Sequence, residues 1–400
     1  MRTDVLVIGG GYAGVMAALR AARELQGSGQ RVTLVSESAV LTERIRLHQR
    51  IAEGRETAVP LARWLGAAGV ELRVARVKRI DAAAHEVVMC ERASEVRLGY
   101  GVLVLAVGSR TDRDAVPGAR EHASVLEPWT ADALRARVVE LAARGGRVAV
   151  VGGGLTGIEI ASELRAAHAG LEVTLLSRGA LGEGSTAASS ERYRAGLERL
   201  GVVVREGHVL SVESGALRLA DGSAHGFDLC IWAAGMVAPA LARESGLPID
   251  ARGRVRTDAM LRALGVDDVI VAGDCAAPEG TLGSPVVGGC KSAMPLGVRA
   301  GENAAAIRLG RVPRAFGWRH PGYCTSVGRD DALIQLVDAS AAGTRAITGW
   351  AATAIKETIC RFTVWAIDLE RAGLRYRWLP APRSAPRLAP DARTSQVSAR

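Results

Sequence analysis

An α/β fold containing two copies of one strand–helix–strand unit is what this sequence predicts, on three observations. Asp4-Val-Leu-Val-Ile-Gly-Gly-Gly-Tyr-Ala-Gly14 is an apolar run that closes in a glycine-rich turn, and Arg147-Val-Ala-Val-Val-Gly-Gly-Gly-Leu-Thr-Gly157 repeats it 143 residues later. Each is followed by a helical pattern, ending Leu19-Arg-Ala-Ala22 in the first copy and Leu164-Arg-Ala-Ala167 in the second. Each then reaches a second strand, Val32-Thr-Leu-Val-Ser-Glu37 and Val173-Thr-Leu-Leu-Ser-Arg178.

Both turns fit G-x-G-x-x-G, the loop of Rossmann-like dinucleotide-binding folds. Gly9 and Gly152 permit the tight turn out of the strand, Gly11 and Gly154 let the backbone approach a pyrophosphate, and Gly14 and Gly157 let the helix pack closely on the strand. Tyr12 and Ala13, like Leu155 and Thr156, sit where the helix begins and its free N–H groups and positive dipole end face the phosphates. A single loop of this kind is as readily a plain tight turn. Two of them, each between an apolar strand and a helix with a second strand at the expected distance, predict two nucleotide sites.

The two second strands end differently. Glu37 can accept hydrogen bonds from a ribose diol, as the adenosine half of FAD presents. Arg178 cannot accept them but suits a 2′-phosphate. The first fold is therefore expected to hold FAD and the second NADPH or NADH, with an inclination to NADPH; a solvated loop cation is the plainer account of Arg178.

Four hundred residues at 48% apolar support two or three cores. The net charge of +9 is concentrated at one end: residues 371–400 hold seven arginines against one acid, Asp391. With Pro380, Pro382, Pro386 and Pro390, residues 379–400 read as a disordered basic tail, and the weakly basic body gives no reason to expect a nucleic-acid partner. Met1-Arg-Thr-Asp4 runs directly into a strand, and no apolar run reaches the ~18–20 residues of a membrane helix, so a cytoplasmic protein without a transmembrane segment is expected. The six cysteines form no CxxC or CxxxxC pair, which argues against a redox disulfide and fits a reducing compartment. No metal is called for.

The order of motifs resembles the two-dinucleotide FAD/NAD(P) flavoproteins of the pyridine nucleotide-disulfide oxidoreductase type, over about residues 4–310. Within them it looks most like type II NADH dehydrogenases and related flavin-dependent quinone reductases. Tyr100-Gly-Val-Leu-Val-Leu-Ala-Val-Gly108 and Asp228-Leu-Cys-Ile-Trp-Ala-Ala-Gly235 resemble the two strand-to-glycine crossings, and Val269-Ile-Val-Ala-Gly-Asp274 resembles the second FAD motif. The resemblance implies that Asp274 takes the ribityl hydroxyls and that Val77, Ala106, Gly108, Lys291, Ser292 and Ala293 also lie on FAD. It places Ala234 and Gly235 on the nicotinamide nucleotide. It further implies that residues 1–112 and 252–320 fold together on FAD, with the NAD(P) domain, 113–251, inserted, and with a small C-terminal region, 321–378.

Hydride transfer between nicotinamide and flavin needs alignment and exclusion of water more than acid–base help. Glu159 resembles the glutamate that lies near the nicotinamide in this family; it also suits the helix dipole as a first-turn acid. Arg44 is a candidate for the FAD phosphates or ring, and His48 for a residue facing the flavin, unless both belong to an amphipathic surface helix. No cysteine precedes Cys90, so the thiol chemistry of related disulfide reductases is not expected. The stretch Gly289–Gly297 lacks the glutamines common in the family's quinone reductases, and a second amphipathic membrane helix is not evident. A helix near 351–367 carries Ile355, Ile359, Phe362 and Ala366 on one face, read first as packing on the FAD fold and otherwise as a homodimer or weak membrane-surface contact. The expected activity is NAD(P)H oxidation through FAD with a quinone or similar planar acceptor. The alternatives are a reductase for a ferredoxin, rubredoxin or oxygenase, and a flavin-bound NAD(P)H sensor.

Overall fold

The computed structural model describes residues 1–381. β1 (Arg2–Ile8) runs through the first glycine loop into α1 (Tyr12–Glu24), and β2 (Val32–Ser36) returns parallel to β1 with Val5 opposite Val32. A turn at Arg44–Arg46 leads into α2 (Leu47–Glu53); β3 (Val70–Val74) joins β2, and β4 (Ser94–Leu105) lies on the other side of β1. Val5, Leu6 and Val7 are fully buried. Their unbroken apolar run, without alternation, reflects a parallel sheet covered on both faces.

The second fold follows. α3 (Ala131–Ala142) precedes β5 (Arg147–Val151), α4 (Leu155–Ala167), β6 (Glu172–Ser177), α5 (Ala187–Arg199), β7 (Val203–Glu206) and β8 (Leu229–Trp232). Its parallel sheet is ordered Ser124–Val125, β8, β5, β6, β7. The chain then returns to the first sheet, where β9 (Val266–Val271) pairs parallel with β4 to give β9-β4-β1-β2-β3. α6 (Cys290–Arg308) lies along α1. A Cβ on Gly297 or Gly301 would come within 2.2 and 2.3 Å of the carbonyl oxygens of Ala13 and Ala17, so these glycines set how closely the two helices approach.

β10 (Tyr323–Ser326), β11 (Ala332–Val337) and β12 (Gly343–Thr348) make a small antiparallel sheet, and α7 (Gly349–Arg371) follows, stopping before Gly373 at φ +88°. α7 overturns the expected packing of its apolar face. Ala366 is buried, but Ile355, Ile359 and Phe362 are exposed, together with Trp350 and Trp365. The inward face carries Lys356, Cys360, Thr363, Ile367 and Glu370. Glu370 receives the Arg20 guanidinium of α1 at 2.6 and 2.8 Å, both side chains buried. Buried charge is tolerated where a partner satisfies it, so here the polar side of the helix is the one that packs. Among the described residues no helix is long and apolar enough to cross a membrane. Of the tail expected to be disordered, Leu379 is fastened, its carbonyl accepting from the Arg319 N–H at 2.9 Å; residues 382–400 lie outside the described residues.

Candidate active site

The two glycine loops are built alike. Gly9 (φ +116°) would place a Cβ 2.2 Å from the Ala106 oxygen, and Gly14 would place one 1.8 Å from the Gly9 oxygen. In the second loop, Gly152 (φ +128°) meets the Ala233 backbone at 2.9 Å and Gly157 meets the Gly152 oxygen at 1.9 Å. The middle glycines differ: a Cβ on Gly11 or Gly154 would have nothing within 4 Å. The outer glycines are thus closed by the fold itself, while the middle ones leave a cradle open. Gly11 and Gly154 are also the N-caps of α1 and α4, and neither helix has a side-chain cap or an acid in its first turn. Free N–H groups at an open helix start fit a pyrophosphate, so both loops suit a dinucleotide. Tyr12 and Ala13 are buried at the start of α1; Leu155 and Thr156 at the start of α4 are more open.

Glu37 follows β2 and Arg178 follows β6, each exposed one residue beyond its strand. Arg76 and Arg110 approach Glu37 at 3.6 and 3.8 Å, whereas Arg178 has no ion pair among the described residues. The Ala75 N–H donates to the Ser36 carbonyl at 2.8 Å, which brings the strand bearing half-buried Val77 beside the end of β2. The two crossings meet: the Asp112 N–H, four residues past Gly108, donates to the Gly235 carbonyl at 3.1 Å, and Met236–Val237, two residues past Ala234, pairs with Arg110–Thr111.

Asp274 receives the Ser109 hydroxyl at 2.9 Å and the Gly289 N–H at 2.8 Å, joining the first crossing, the end of β9 and the start of α6. At that start, Lys291 lies 3.8 Å over the Tyr323 ring, and burial pulls its ammonium down to about 8. Ser292 turns back to the carbonyls of Val287 and Gly289, and Ala293 is buried beside it. Burial pushes the Cys290 thiol up to about 11 and those of Cys230, Cys275 and Cys324 up to about 12, and all six cysteines are free.

Three candidates, from the stretch after β2 and from α4, are each held by partners within the chain. Arg44 binds Glu127 at 2.6 Å, a buried acid that also takes the Thr111 N–H at 2.9 Å. His48 presents no open edge to a ligand. It is buried between α2 and α4, with Nδ1 3.5 Å from Glu159 and Nε2 3.8 Å from Glu163, because α2 packs on α4 rather than lying on the surface. Burial and the nearby cations Lys356, Arg329 and Arg46 hold its imidazole well below the usual histidine range. Glu159 is joined by Lys356 of α7 and accepts from the Ser326 N–H at 3.2 Å.

Glu127, Glu163 and Lys356 escaped the sequence reading. For Lys356 a signal existed. The chain holds three lysines, Lys78, Lys291 and Lys356, in a sequence that otherwise uses arginine. Lys291 and Lys356 both turn inward at the candidate site, where a compact, titratable cation is not equivalent to a guanidinium.

Two open dinucleotide cradles, joined crossings and an acid at the end of β9 define a two-dinucleotide flavoprotein oxidoreductase. The chain belongs to the pyridine nucleotide-disulphide oxidoreductase family, whose model matches residues 3–302. It is 33% identical over 324 residues to a NADH dehydrogenase-like protein of Mycobacterium tuberculosis, covering 75% of this chain and 80% of that one. It is 25% identical over 401 residues to a demethylphylloquinone reductase of Synechocystis, covering 95% and 96%. Its fold matches NDH2 of Plasmodium falciparum at a TM-score of 0.76, with 14% identity, covering 93% of this chain and 98% of that one. The chain is an NAD(P)H oxidoreductase with FAD and NADH as cofactors.

Proposed function

We propose that this chain carries electrons from NADH through FAD to a quinone that it meets at a membrane surface. One observation carries the reading: α7 brings Lys356 to Glu159 on its inner face and shows Ile355, Ile359, Phe362 and Trp365 to solvent on its outer face. A single helix therefore spans from the acid assigned to the nicotinamide to an apolar surface suited to a lipid-soluble acceptor. The Synechocystis relative, named for demethylphylloquinone reduction, supports a quinone acceptor.

Bound FAD supplies a ring that accepts hydride and returns electrons to a second acceptor. The chain's own residues bind and orient. The open backbone at Gly11 and Gly154 takes the two pyrophosphates, Glu37 the FAD ribose and Asp274 the ribityl hydroxyls. Glu159, held by Lys356 and Ser326, stands at the nicotinamide. Lys291 at the start of α6 adds positive charge beside the ring. NADPH is proposed to serve in place of NADH through Arg178.

Anaerobic bleaching of the flavin absorbance by NADH, followed by recolouring with quinones and with purified iron–sulfur proteins, tests the reading. Recolouring by the protein acceptors alone would overturn it in favour of a ferredoxin-type reductase.

A further inference from the structure

α4 places two carboxylates one helical turn apart, Glu159 and Glu163, and the His48 ring lies between them. The ring is buried, and its Nε2, aimed at Glu163, has no hydrogen-bond partner. An orphaned buried ring nitrogen calls for an explanation. The gaps of 3.5 and 3.8 Å lie just beyond hydrogen-bond length, so a sub-ångström swing of the imidazole closes either one.

Behind Glu163 lies a cavity of about 40 Å³, lined by Glu163, Gln49, Ser326, Arg329, Lys356 and Glu357. At ~10–15 Å³ per water, it has room for about three waters among polar partners. Glu357, a third exposed, stands on its solvent side, and Glu163 is buried at its inner wall. The structure thus has a wet side, a carboxyl, an imidazole and a second carboxyl in a row.

The geometry points to a proton relay, cavity to Glu163 to His48 to Glu159, that supplies the solvent proton consumed when a quinone is reduced to its quinol. It rests on the quinone reading above, because hydride donation by NADH brings one proton while quinol formation takes two. The transfer balances without a further reactant. The Glu163 carboxyl gives its proton to His48 Nε2 as the Nδ1 proton passes to Glu159, and water in the cavity reprotonates Glu163. Once Glu159 has passed its proton to the reduced quinone, a flip of the neutral ring restores the starting tautomer.

The surrounding charges suit each step. His48 faces Arg46 on its own side, Glu159 and Glu163 from α4, Arg329 from the β10–β11 loop and Lys356 from α7; burial, and with it the cations Lys356, Arg329 and Arg46, keeps the ring neutral and able to accept. Glu163 faces Arg329 at 2.7 Å and Glu53 of α2, and burial lifts its carboxyl to about 7, so it exchanges protons near neutrality. Lys356, with Glu357 and Cys360 beside it, holds Glu159. His48 and Glu163 are positioning residues that act through Glu159.

Glu163→Gln and His48→Phe in the FAD-loaded protein test the relay with two acceptors, a water-soluble quinone that takes electrons and protons, and ferricyanide, which takes electrons only. In both variants the ratio of quinone to ferricyanide turnover should fall about a hundredfold, the lower end of what a positioned proton donor contributes, and the inflection of quinone turnover near pH 7 should vanish. Infrared spectra of the resting protein give a readout independent of turnover: a buried carboxylic acid band that titrates near neutrality should disappear in Glu163→Gln. Circular dichroism and flavin content identify a variant that has not folded, in which case Glu163→Asp, which moves the carboxyl without removing it, takes its place, and its acid band should shift rather than disappear. An unchanged turnover ratio and pH profile, or an unchanged acid band, would overturn the relay. A wild type that reduces ferricyanide but no quinone would instead overturn the reading on which it rests.

Discussion

Lys356 of α7 donates to Glu159 of α4 across 197 residues of sequence, tying the C-terminal helix to the helix that opens from the second glycine loop. Both side chains are largely buried, so neither charge has water to fall back on. Removing one member of such a pair costs ~3–5 kcal/mol because the other is left uncompensated, whereas removing both can be nearly neutral. Lys356→Met and Glu159→Gln should each lower stability on that scale, and the double variant should recover most of the loss. Urea denaturation of the four proteins checks this, and strictly additive losses would show that the two groups are not coupled.

The glycine loops give a prediction that separates folding from binding. Gly11→Ala and Gly154→Ala place a methyl group in open space, so the proteins should fold with wild-type stability in the absence of cofactor. That methyl group occupies the approach of the pyrophosphate, so Gly11→Ala should lose FAD and Gly154→Ala should raise the Michaelis constant for NADH at least about tenfold. Gly14→Ala meets the Gly9 oxygen at 1.8 Å and should destabilise the fold itself by roughly 1–3 kcal/mol or more, as overpacking does. Flavin content by absorbance and melting temperature of the apoprotein distinguish the outcomes.

Glu163 makes stability depend on pH in a defined direction. Its folded carboxyl sits near 7, above the unfolded value, so the folded state holds the proton more tightly. The resulting stability is fully present below about pH 4.5 and is lost as pH rises through about 7. At ~1.4 kcal/mol per pH unit this amounts to at most about 3 kcal/mol. Burial of neutral His48 acts in the opposite sense, its contribution being present above pH 6.5 and lost as pH falls. Comparing wild type with Glu163→Gln keeps His48 in both. The stability of wild type relative to the variant should decline between pH 5 and 7.5, and a flat difference would show that Glu163 titrates normally.

The two folds were legible because each glycine in the loops does a separate steric task, and the sequence repeats all three tasks. The positions of Glu37 and Arg178 were legible for the same reason, since a strand of fixed length brings the residue after it to a fixed place. The C-terminal helix was not. Periodicity found Ile355, Ile359 and Phe362 on one face and assigned that face to the core, but Arg20 and Glu159 lie far off in sequence and claim the polar face through Glu370 and Lys356. His48 was misplaced for a related reason. Nothing local announces that α2 packs against α4, so a residue read as facing the flavin, or else as part of an amphipathic surface helix, lies buried between two carboxylates.

The outer face of α7 should bind lipid. Trp350, Ile359, Phe362 and Trp365 are exposed on a helix whose inward face is already satisfied, and aromatic side chains favour the membrane interface. Arg371 is exposed at the end of the same helix, and a basic residue near an anionic surface adds about 1 kcal/mol. Wild type should sediment with vesicles containing an anionic lipid, and a variant with Ile359, Phe362 and Trp365 changed to Ser should not, while keeping its ferricyanide turnover. If vesicles bind both proteins equally, or neither, the face does not dock on lipid; a halving of solution mass in the variant would assign it to a second copy of this chain.

Glu37 and Arg178 stand at equivalent places, each directly after the second strand of its fold, and each follows a serine whose hydroxyl lies against the middle of the glycine loop, at Gly10 in one case and Gly153 in the other. An acid at that place accepts a ribose diol and repels a 2′-phosphate; an arginine does the reverse. Arg178 is exposed and unpaired among the described residues, so its guanidinium is free to meet a phosphate. A charge-assisted contact of this kind contributes on the order of 1–3 kcal/mol, or roughly ten- to a hundred-fold in affinity. Wild type should therefore use NADPH at least comparably to NADH. Arg178→Glu should raise the Michaelis constant for NADPH by that factor while changing the constant for NADH less, because only NADPH carries the extra phosphate. Both nucleotides must be measured in both proteins at one low ionic strength, since salt screens an exposed pair. A wild type that strongly prefers NADH, or a substitution that weakens both nucleotides equally, would show that Arg178 does not read the phosphate and that Ser177 and the loop after it position the ribose instead.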